Sequence, residues 1–241
     1  MAIIKKENIG IGEKRMNKIG WCSETWNPVI GCRNSCIYCY ARAMNDRFGF
    51  IKNWDIPEWK EKSFNKKFPQ KSQKIFIGSM SEIRFWKRDW LLQLFGKIKG
   101  YPQHIFQFLT KYPYIYNRIE FPAKSWLGFT VTINKDLTEG ILHIKKLRDF
   151  SLTGKYLYFV SIEPILEKIN PLDLIFLDWV ILGAETGNRK GKIIPKKEWI
   201  KSLVDYCRDN DIPVYLKNSL KNIYPVEIKE FPETKAELKL F

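Results

Sequence analysis

The chain has 241 residues and a formal net charge of +15, and this length is enough for a single domain with a full hydrophobic core. No run of about 20 apolar residues is present, and the N-terminus lacks the apolar region of a signal peptide, so we expect a cytosolic protein without a membrane span. The charge predicts attraction to polyanions such as nucleic acids, although a Lys-rich genome would explain it equally well.

We expect residues 1–20 to be an N-terminal extension. A first strand near TWNPVIG then leads into GCRNSCIYCYAR, in which Cys32, Cys36 and Cys39 have C-x3-C-x2-C spacing. Clustered thiols in a cytosolic chain indicate metal ligands or redox groups rather than disulfides. Thiolates on one tight loop suit zinc or three irons of an iron–sulfur cube. A zinc site with Cys22 as the fourth ligand competes with the cube, although structural zinc usually has two short cysteine pairs.

The segment from about 48 to 74 interrupts the pattern with many lysines and with Trp54, Trp59, Phe64 and Phe68. We predict that it is an insertion. Basic and aromatic side chains together suit phosphate contact and base stacking, whereas ordinary core aromatics on a solvated segment are the alternative that we favour slightly.

Six short apolar runs follow at regular spacing, with segments of helical periodicity between several of them: 74–82, 104–111, 125–132, 155–164, 178–187 and 213–218. Strands that are apolar on both faces and alternate with helices are typical of a parallel sheet. We therefore predict an α/β fold over residues 21–220, a partial (β/α) TIM-like barrel of about six or seven parallel strands, followed by a peripheral tail over 221–241.

Polar residues end each of these runs: Ser79, Ser81, Glu82, Thr110, Lys111, Thr130, Thr132, Ser161, Glu163, Glu185, Thr186, Lys217 and Asn218. One such residue is often a helix cap, but six polar strand ends in register predict a common pocket, since ligands bind beyond the carboxyl ends of parallel strands. The two histidines, His104 and His143, lie away from these ends and are predicted to be structural. A His-assisted hydrolase is therefore disfavoured.

The cysteine spacing, with an aromatic residue before the third cysteine and a partial barrel after it, resembles the radical S-adenosylmethionine (SAM) enzymes. More narrowly, the chain is similar from about Trp21 to Asn218 to a phage-associated family of unassigned function in that superfamily. The motifs that carry this resemblance are TWNPVIGC, CYAR, IGSMSE, FQFLTK, WLGFTVT, VSIEP, DWVILGAETG and VYLKN.

The resemblance implies that Cys32, Cys36 and Cys39 hold a [4Fe–4S] cluster whose free iron binds SAM. A reduced cluster, supplied by an electron donor such as flavodoxin or ferredoxin, then cleaves SAM to a 5′-deoxyadenosyl radical that abstracts hydrogen from the substrate. It also implies SAM contacts in Tyr38 and in the run Gly78, Ser79, Ser81 and Glu82. By position, Thr130, Thr132, Ser161 and Glu163 would contact the ribose or carboxylate of SAM.

By position, Lys111, Glu185 and Lys217 would face the substrate. Cys22 would donate a hydrogen atom to a product radical or simply pack beside Trp21, and packing is the favoured alternative. Cys207 is predicted to be a small core residue.

Three functions are therefore open. The first is a radical SAM enzyme that modifies or repairs a nucleic acid or nucleotide. The second is the same chemistry on a peptide or small metabolite, and the third is a zinc-stabilised nucleic-acid-binding module without catalysis.

Overall fold

The structure of the protein, a computed structural model, describes residues 19–150 and 156–232. The strands in chain order are β1 (Glu24–Trp26), β2 (Val29–Ile30), β3 (Glu58–Trp59), β4 (Lys74–Ile77), β5 (Ile105–Thr110), β6 (Trp126–Val131), β7 (Leu157–Ile162), β8 (Trp179–Leu182) and β9 (Val214–Leu216). The helices are α1 (Tyr40–Phe48), α2 (Glu61–Phe64), α3 (Arg88–Lys99), α4 (Asn134–Phe150) and α5 (Lys197–Asp209).

Within these residues, seven parallel strands form one curled sheet in the order β1-β4-β5-β6-β7-β8-β9. The sheet is a half-barrel, so the predicted partial (β/α) barrel is confirmed. Neighbouring strands are in register along their length, and Thr130 at the end of β6 pairs with Ser161 of β7. The carboxyl ends of the strands therefore meet at one edge of the barrel, as the site prediction requires.

The links between strands are less regular than predicted. Helices α3, α4 and α5 follow β4, β6 and β8, but the links after β5 and β7 contain only 3-10 turns, at Pro113–Asn117 and Leu172–Phe176. Proline explains the difference, because Pro113, Pro122, Pro164 and Pro171 lie in these two links and proline disfavours helix at itself and at the residue before it. None of the helices in the described ranges has the length and apolar character needed to cross a bilayer.

The two faces of the sheet have different cores. The outer face packs a mixture of aliphatic and aromatic residues against the helices, whereas the inner face is filled by Trp21, Phe76, Trp126, Phe159, Trp179 and Tyr215. Trp21 and Phe76 are in direct ring contact, with centroids 4.6 Å apart. The barrel interior is thus solid toward the amino ends of the strands, and the polar residues form a separate layer at the carboxyl ends.

Of the residues that were predicted to be structural, all but His143 are buried. His104 is buried just before β5, where its Nδ1 accepts a hydrogen bond from Gln73 N at 3.1 Å. His143 is half-buried on α4, with its ring centroid 6.2 Å from that of Tyr114, and Cys207 is fully buried in α5. Cys22 is buried in the inner aromatic cluster, which agrees with packing beside Trp21.

The predicted insertion folds onto the barrel beside β1. Strand β3 pairs with β2 in a separate two-stranded antiparallel sheet. Trp54 and Phe68 are buried, and Phe64 stacks on Trp26 with a centroid distance of 6.2 Å. Trp54 and Phe68 are therefore core residues, and the base-stacking alternative is wrong for these two, whereas Trp59 and Phe64 are only partly buried.

The chain ends contribute more to the fold than predicted. Most of the predicted N-terminal extension lies outside the described residues, but Ile19 packs against the inner cluster. Residues 227–232 of the tail run antiparallel to β9, and Leu216 N donates to Ile228 O at 2.9 Å while Glu230 N donates to Val214 O at 3.0 Å. A peripheral tail is thus wrong for this part, because the open edge of β9 needs hydrogen-bond partners; residues 233–241 lie outside the described residues.

Candidate functional site

The cysteine loop, residues 31–39, joins β2 to α1 and lies beside the carboxyl end of β4. Gly31 N donates to Met80 O at 3.0 Å, and Cys32 N donates to Trp54 O at 2.8 Å. Gly31 has a φ of +110°, and a Cβ at this position would lie 2.9 Å from Trp54 O and from Ile51 Cδ1. The inserted segment therefore holds one side of the loop, and the residues that follow β4 hold the other.

Two of the three thiols accept backbone hydrogen bonds. Asn34 N donates to Cys32 Sγ at 3.4 Å, and Arg42 N donates to Cys39 Sγ at 3.3 Å, with Cys39 as the N-cap of α1. Burial raises the pKa of Cys32 to about 12, opposed by the Asn34 hydrogen bond and reinforced by Glu82 and the other two thiols. A metal would have to displace the proton of each thiol that it binds. The backbone N–H groups of Asn34 and Arg42 would then stabilise the metal-bound thiolates of Cys32 and Cys39.

The donor set of the loop consists of thiols, which are ligands for an iron–sulfur cluster and also for a single soft ion such as zinc. Cys32 and Cys39 pack on a small apolar floor that includes Met80 and Trp54, with no histidine in it. In the described ranges, no three Cys, His, Asp or Glu side chains are arranged to hold one metal ion. A cube does not need such convergence because each thiolate binds its own iron. Cys22 packs in the inner aromatic cluster, apart from the cluster that contains Cys32 and Cys39.

The run Gly78–Glu82 follows β4 and forms the wall next to the cysteine loop. Ser79 Oγ lies 3.1 Å from the side-chain amide of Asn27, and Tyr40 Oη donates to Ser79 O at 2.6 Å. Ser81 Oγ instead accepts from Trp86 Nε1 at 3.2 Å, and the Trp86 ring occupies the space that a Cβ at Gly78 would need. Ser79 is thus the hydroxyl of this run that is held beside the loop, whereas Ser81 anchors Trp86.

Glu82 lies in a buried hydrogen-bond network. One carboxylate oxygen accepts from Thr110 Oγ1 and from Arg84 N, and the other accepts from Lys111 N at 3.0 Å. Burial raises the pKa of Glu82, and the hydrogen bonds from Lys111, Thr110 and Arg84 only partly oppose it. The predicted SAM contact at Glu82 thus corresponds to a residue whose carboxylate fixes the end of β5.

We expect Glu82→Gln to lower the free energy of unfolding by about 1–3 kcal/mol at neutral pH. Both carboxylate oxygens of Glu82 accept hydrogen bonds, so the side-chain NH2 group of glutamine would face a hydrogen-bond donor in a buried network. The fold should survive, since no volume changes. Urea denaturation followed by circular dichroism measures the loss. Glu198→Gln on the exposed face of α5 is the matched control and should change stability by less than about 0.5 kcal/mol; equal stability of both variants would contradict the network.

The inner face of the sheet continues as a polar row at the carboxyl ends. Alternate residues of a strand share a face, so Thr130 follows Trp126 and Ser161 follows Phe159 on the inner side. Thr130 is half-buried, and Ser161 is buried. Thr132 is different, because its hydroxyl donates to Asp136 Oδ2 at 2.8 Å at the start of α4.

Lys111 connects this row to the cysteine loop. Its Nζ donates to Tyr38 Oη at 3.1 Å and lies 5.2 Å from the centroid of the Tyr38 ring. Burial lowers the pKa of Lys111, but Tyr38, Cys36 and Asp136 outweigh it, and the net pKa is raised. The site therefore keeps a fixed positive charge beside the thiols.

Glu163 and Lys217 form an ion pair across the intervening strand β8. Lys217 Nζ lies 2.6 Å and 2.8 Å from the two Glu163 carboxylate oxygens. The side chain of Glu163 is 23% exposed and that of Lys217 is 16% exposed. Gly183, directly after β8, makes this possible, because a Cβ there would lie 2.8 Å from Glu163 Cδ. Glu163, the predicted SAM contact, and Lys217, the predicted substrate contact, are therefore joined in one ion pair.

We expect Gly183→Ala to displace the Glu163 carboxylate and to lower the free energy of unfolding by about 1–3 kcal/mol. The same methyl group should cost much less in a Glu163→Ala background, where the space is vacant. Urea denaturation of the four chains in this double-mutant cycle measures the coupling. Additive effects of the two substitutions would show that Gly183 does not act through Glu163.

Glu185 is also paired. Its carboxylate accepts from Arg189 Nε at 2.6 Å and from Arg189 Nη2 at 2.8 Å, and its side chain is 1% exposed. The Arg189 hydrogen bonds and charge lower the pKa of Glu185 against the opposing effect of burial. The carboxylate stays ionised, and the half-buried Arg189 lies with it at the rim of the site.

Sequence reasoning missed several partners in this site, namely Asn27, Asp136, Gly183 and Arg189. Asn27 lies inside the motif TWNPVIGC, directly after β1, so the rule that strand ends carry function would have found it. Arg189 lies four residues after Glu185, a spacing that predicts an ion pair only on a helix, and this segment is a loop. Gly183 has no functional group, so only the packed structure reveals its role.

Comparison with known proteins gives one family. A family model described as a protein of unknown function (DUF5131) matches residues 16–229. No curated protein and no solved structure matches the chain.

Proposed function

The chain belongs to the family described as a protein of unknown function (DUF5131), whose description assigns no activity, and from the site itself we propose that it is a radical SAM enzyme. The observation that carries the proposal is the position of the cysteine loop. Its thiols lie beside the polar carboxyl ends of a parallel half-barrel, and Lys111 contacts Tyr38 of the loop directly. Ligands in this architecture bind at that edge.

In this proposal, Cys32, Cys36 and Cys39 hold a [4Fe–4S] cluster and leave one iron for a ligand that is not protein. Bound cluster and SAM would supply reductive cleavage to a 5′-deoxyadenosyl radical for hydrogen abstraction. Backbone N–H groups that bond Cys32 and Cys39 at sulfur stabilise the thiolates, and the apolar floor of the loop limits access of water.

The protein groups around the loop divide between the cofactor and the substrate. Tyr38, oriented by Lys111, would lie beside the adenine, and Ser79, held by Asn27, would receive the methionine amino group. Thr130 and Ser161 would contact the ribose or the carboxylate of SAM. The Glu163–Lys217 pair presents a carboxylate whose charge is already balanced, which suits hydrogen bonds to neutral hydroxyls.

Three residues keep structural roles in this proposal. Cys22 packs in the aromatic interior rather than donating a hydrogen atom, Glu82 positions the end of β5, and Thr132 holds the start of α4.

A cytosolic location with a small reduced carrier such as flavodoxin or ferredoxin as electron donor completes the proposal.

The metal content of anaerobically reconstituted protein tests it. We expect a brown protein with about four irons and four sulfides per chain. Its reduced form should give an electron paramagnetic resonance signal that changes when SAM is added, because SAM binds the free iron. A colourless chain that retains one zinc would contradict the proposal and support the zinc-stabilised module.

A further inference from the structure

A groove outside the candidate site separates α3 from the turn Pro113–Asn117 and has a volume of about 690 Å³. Arg84, Arg88 and Arg118 line it, together with the ring of Tyr114 and the exposed side chain of Leu92. Glu120 is the acidic residue among its lining residues. The groove thus combines a concentrated positive charge with apolar and aromatic surface.

Its arginines are ordered by aromatic rings rather than by carboxylates. The Arg84 guanidinium lies 4.2 Å from the ring centroid of Tyr112 and 5.7 Å from that of Tyr114. Arg118 lies 5.0 Å from the Tyr114 centroid. In the described part of the chain, none of Arg84, Arg88 and Arg118 forms an ion pair. Their charges remain available to an anionic ligand, and stacking leaves the guanidinium edges free for phosphate oxygens.

The groove is connected to the cysteine loop. The ring of Tyr112 packs against the Arg84 guanidinium, and the hydroxyl of Tyr112 donates a hydrogen bond to Asn34 Oδ1 of the cysteine loop at 2.7 Å. The preceding residue, Lys111, contacts Tyr38 of the same loop. Arg33 lies 5.9 Å from the ring centroid of Phe85, which adds a further cation between the groove and the loop. A polymer bound in the groove would therefore lead to the candidate site.

We propose that this groove binds single-stranded nucleic acid and delivers it to the site, an inference that deepens the proposed function and rests on it for the chemistry at the end of the groove. The arginines contact phosphates, and the ring of Tyr114, which lines the groove, stacks with unpaired bases. Alternation of guanidinium groups and rings suits a chain of phosphates and bases, whereas an acidic peptide would need only the charges. The net charge of +15 supplies long-range attraction of the same sign.

Fluorescence anisotropy with a fluorescein-labelled single-stranded 16-mer, as DNA and as RNA, tests the proposal on the full-length chain. The double variant Arg84→Gln/Arg118→Gln should weaken binding by about tenfold or more at 100 mM salt. It should also reduce the slope of log affinity against log salt concentration by about two. Lys197→Gln/Arg208→Gln removes the same charge from exposed positions on α5 and should change the affinity by less than about twofold. The double variant Arg84→Lys/Arg118→Lys keeps the charge but not the flat guanidinium surface, and its affinity should lie between those of the groove glutamine variant and the α5 variant.

Equal losses in the groove and α5 variants would overturn the proposal, as would tighter binding of a duplex or of poly-glutamate than of the single strand. Circular dichroism melting must show that the groove variants are folded. The same titration on Cys36→Ala separates the two proposals, because a chain without a cluster should bind the oligonucleotide as well as the wild type. If SAM cleavage fails while groove-specific binding persists, the chemistry is wrong and the groove assignment stands.

Discussion

Cys36→Ala is expected to abolish cluster binding and SAM cleavage while leaving the fold intact. Cys32 and Cys39 both accept backbone hydrogen bonds at sulfur, and Cys39 caps α1, so their replacement would also disturb the loop. Cys36 is half-buried in the loop without such a bond among those described. Its removal therefore separates metal binding from loop structure.

Iron and sulfide content, absorbance near 400 nm and the melting temperature measure this outcome on chains reconstituted in parallel. Iron should fall at least several-fold, and the melting temperature of the metal-free chains should differ by only a few degrees. Cys207→Ala is the matched control, since it removes a thiol that is fully buried in α5 and should keep the iron at a cost of about 1 kcal/mol in stability. Full iron content in Cys36→Ala would contradict the ligand assignment.

Gly31→Ala is expected to lower the free energy of unfolding by about 2–4 kcal/mol and to reduce iron binding severely. A φ of +110° is strained for any residue with a Cβ, and that Cβ would meet Trp54 O at 2.9 Å. The backbone must therefore shift at the residue that precedes Cys32. Because Cys32 N also bonds Trp54 O, the shift moves the first thiol itself.

Urea denaturation and iron content measure the two effects of Gly31→Ala. Gly96→Ala is the control, because Gly96 lies in α3 and a methyl group there would meet no neighbouring atom within 4 Å beyond the helix's own backbone. This variant should gain about 0.5–1 kcal/mol from the better helix former. If Gly31→Ala keeps both its stability and its iron, the contact with the inserted segment does not set the loop geometry.

The strands and the edge that carries the site could be predicted from the sequence because they depend on local patterns. Runs such as YLYFVSI are apolar at consecutive positions, which is typical of a strand covered on both faces, and parallel pairing then brings strand ends to one edge. The cysteine spacing lies within one loop, so it too is visible locally. Residues such as Thr130 and Ser161 fall on the inner face by simple alternation along their strands.

Partners that depend on three-dimensional packing could not be predicted. Glu163 and Lys217 follow strands that are not neighbours, and they meet because Gly183 leaves room between them. The aromatic residues of the insertion have the composition of a nucleic-acid surface, yet Trp54 and Phe68 are buried because the segment folds back onto the sheet. The basic aromatic groove is assembled from α3, the turn Ile83–Phe85 before it and the residues between β5 and β6, segments whose proximity no local pattern indicates.

Formation of 5′-deoxyadenosine tests the central claim most directly. Reconstituted wild-type protein, incubated anaerobically with SAM and dithionite, should form 5′-deoxyadenosine and methionine in equal amounts, detected by liquid chromatography with mass spectrometry. Cys36→Ala under the same conditions should give only the background of free iron and sulfide, and Cys207→Ala should match the wild type. A wild-type chain that binds four irons but forms no more 5′-deoxyadenosine than Cys36→Ala would contradict the assignment of this site to radical SAM chemistry.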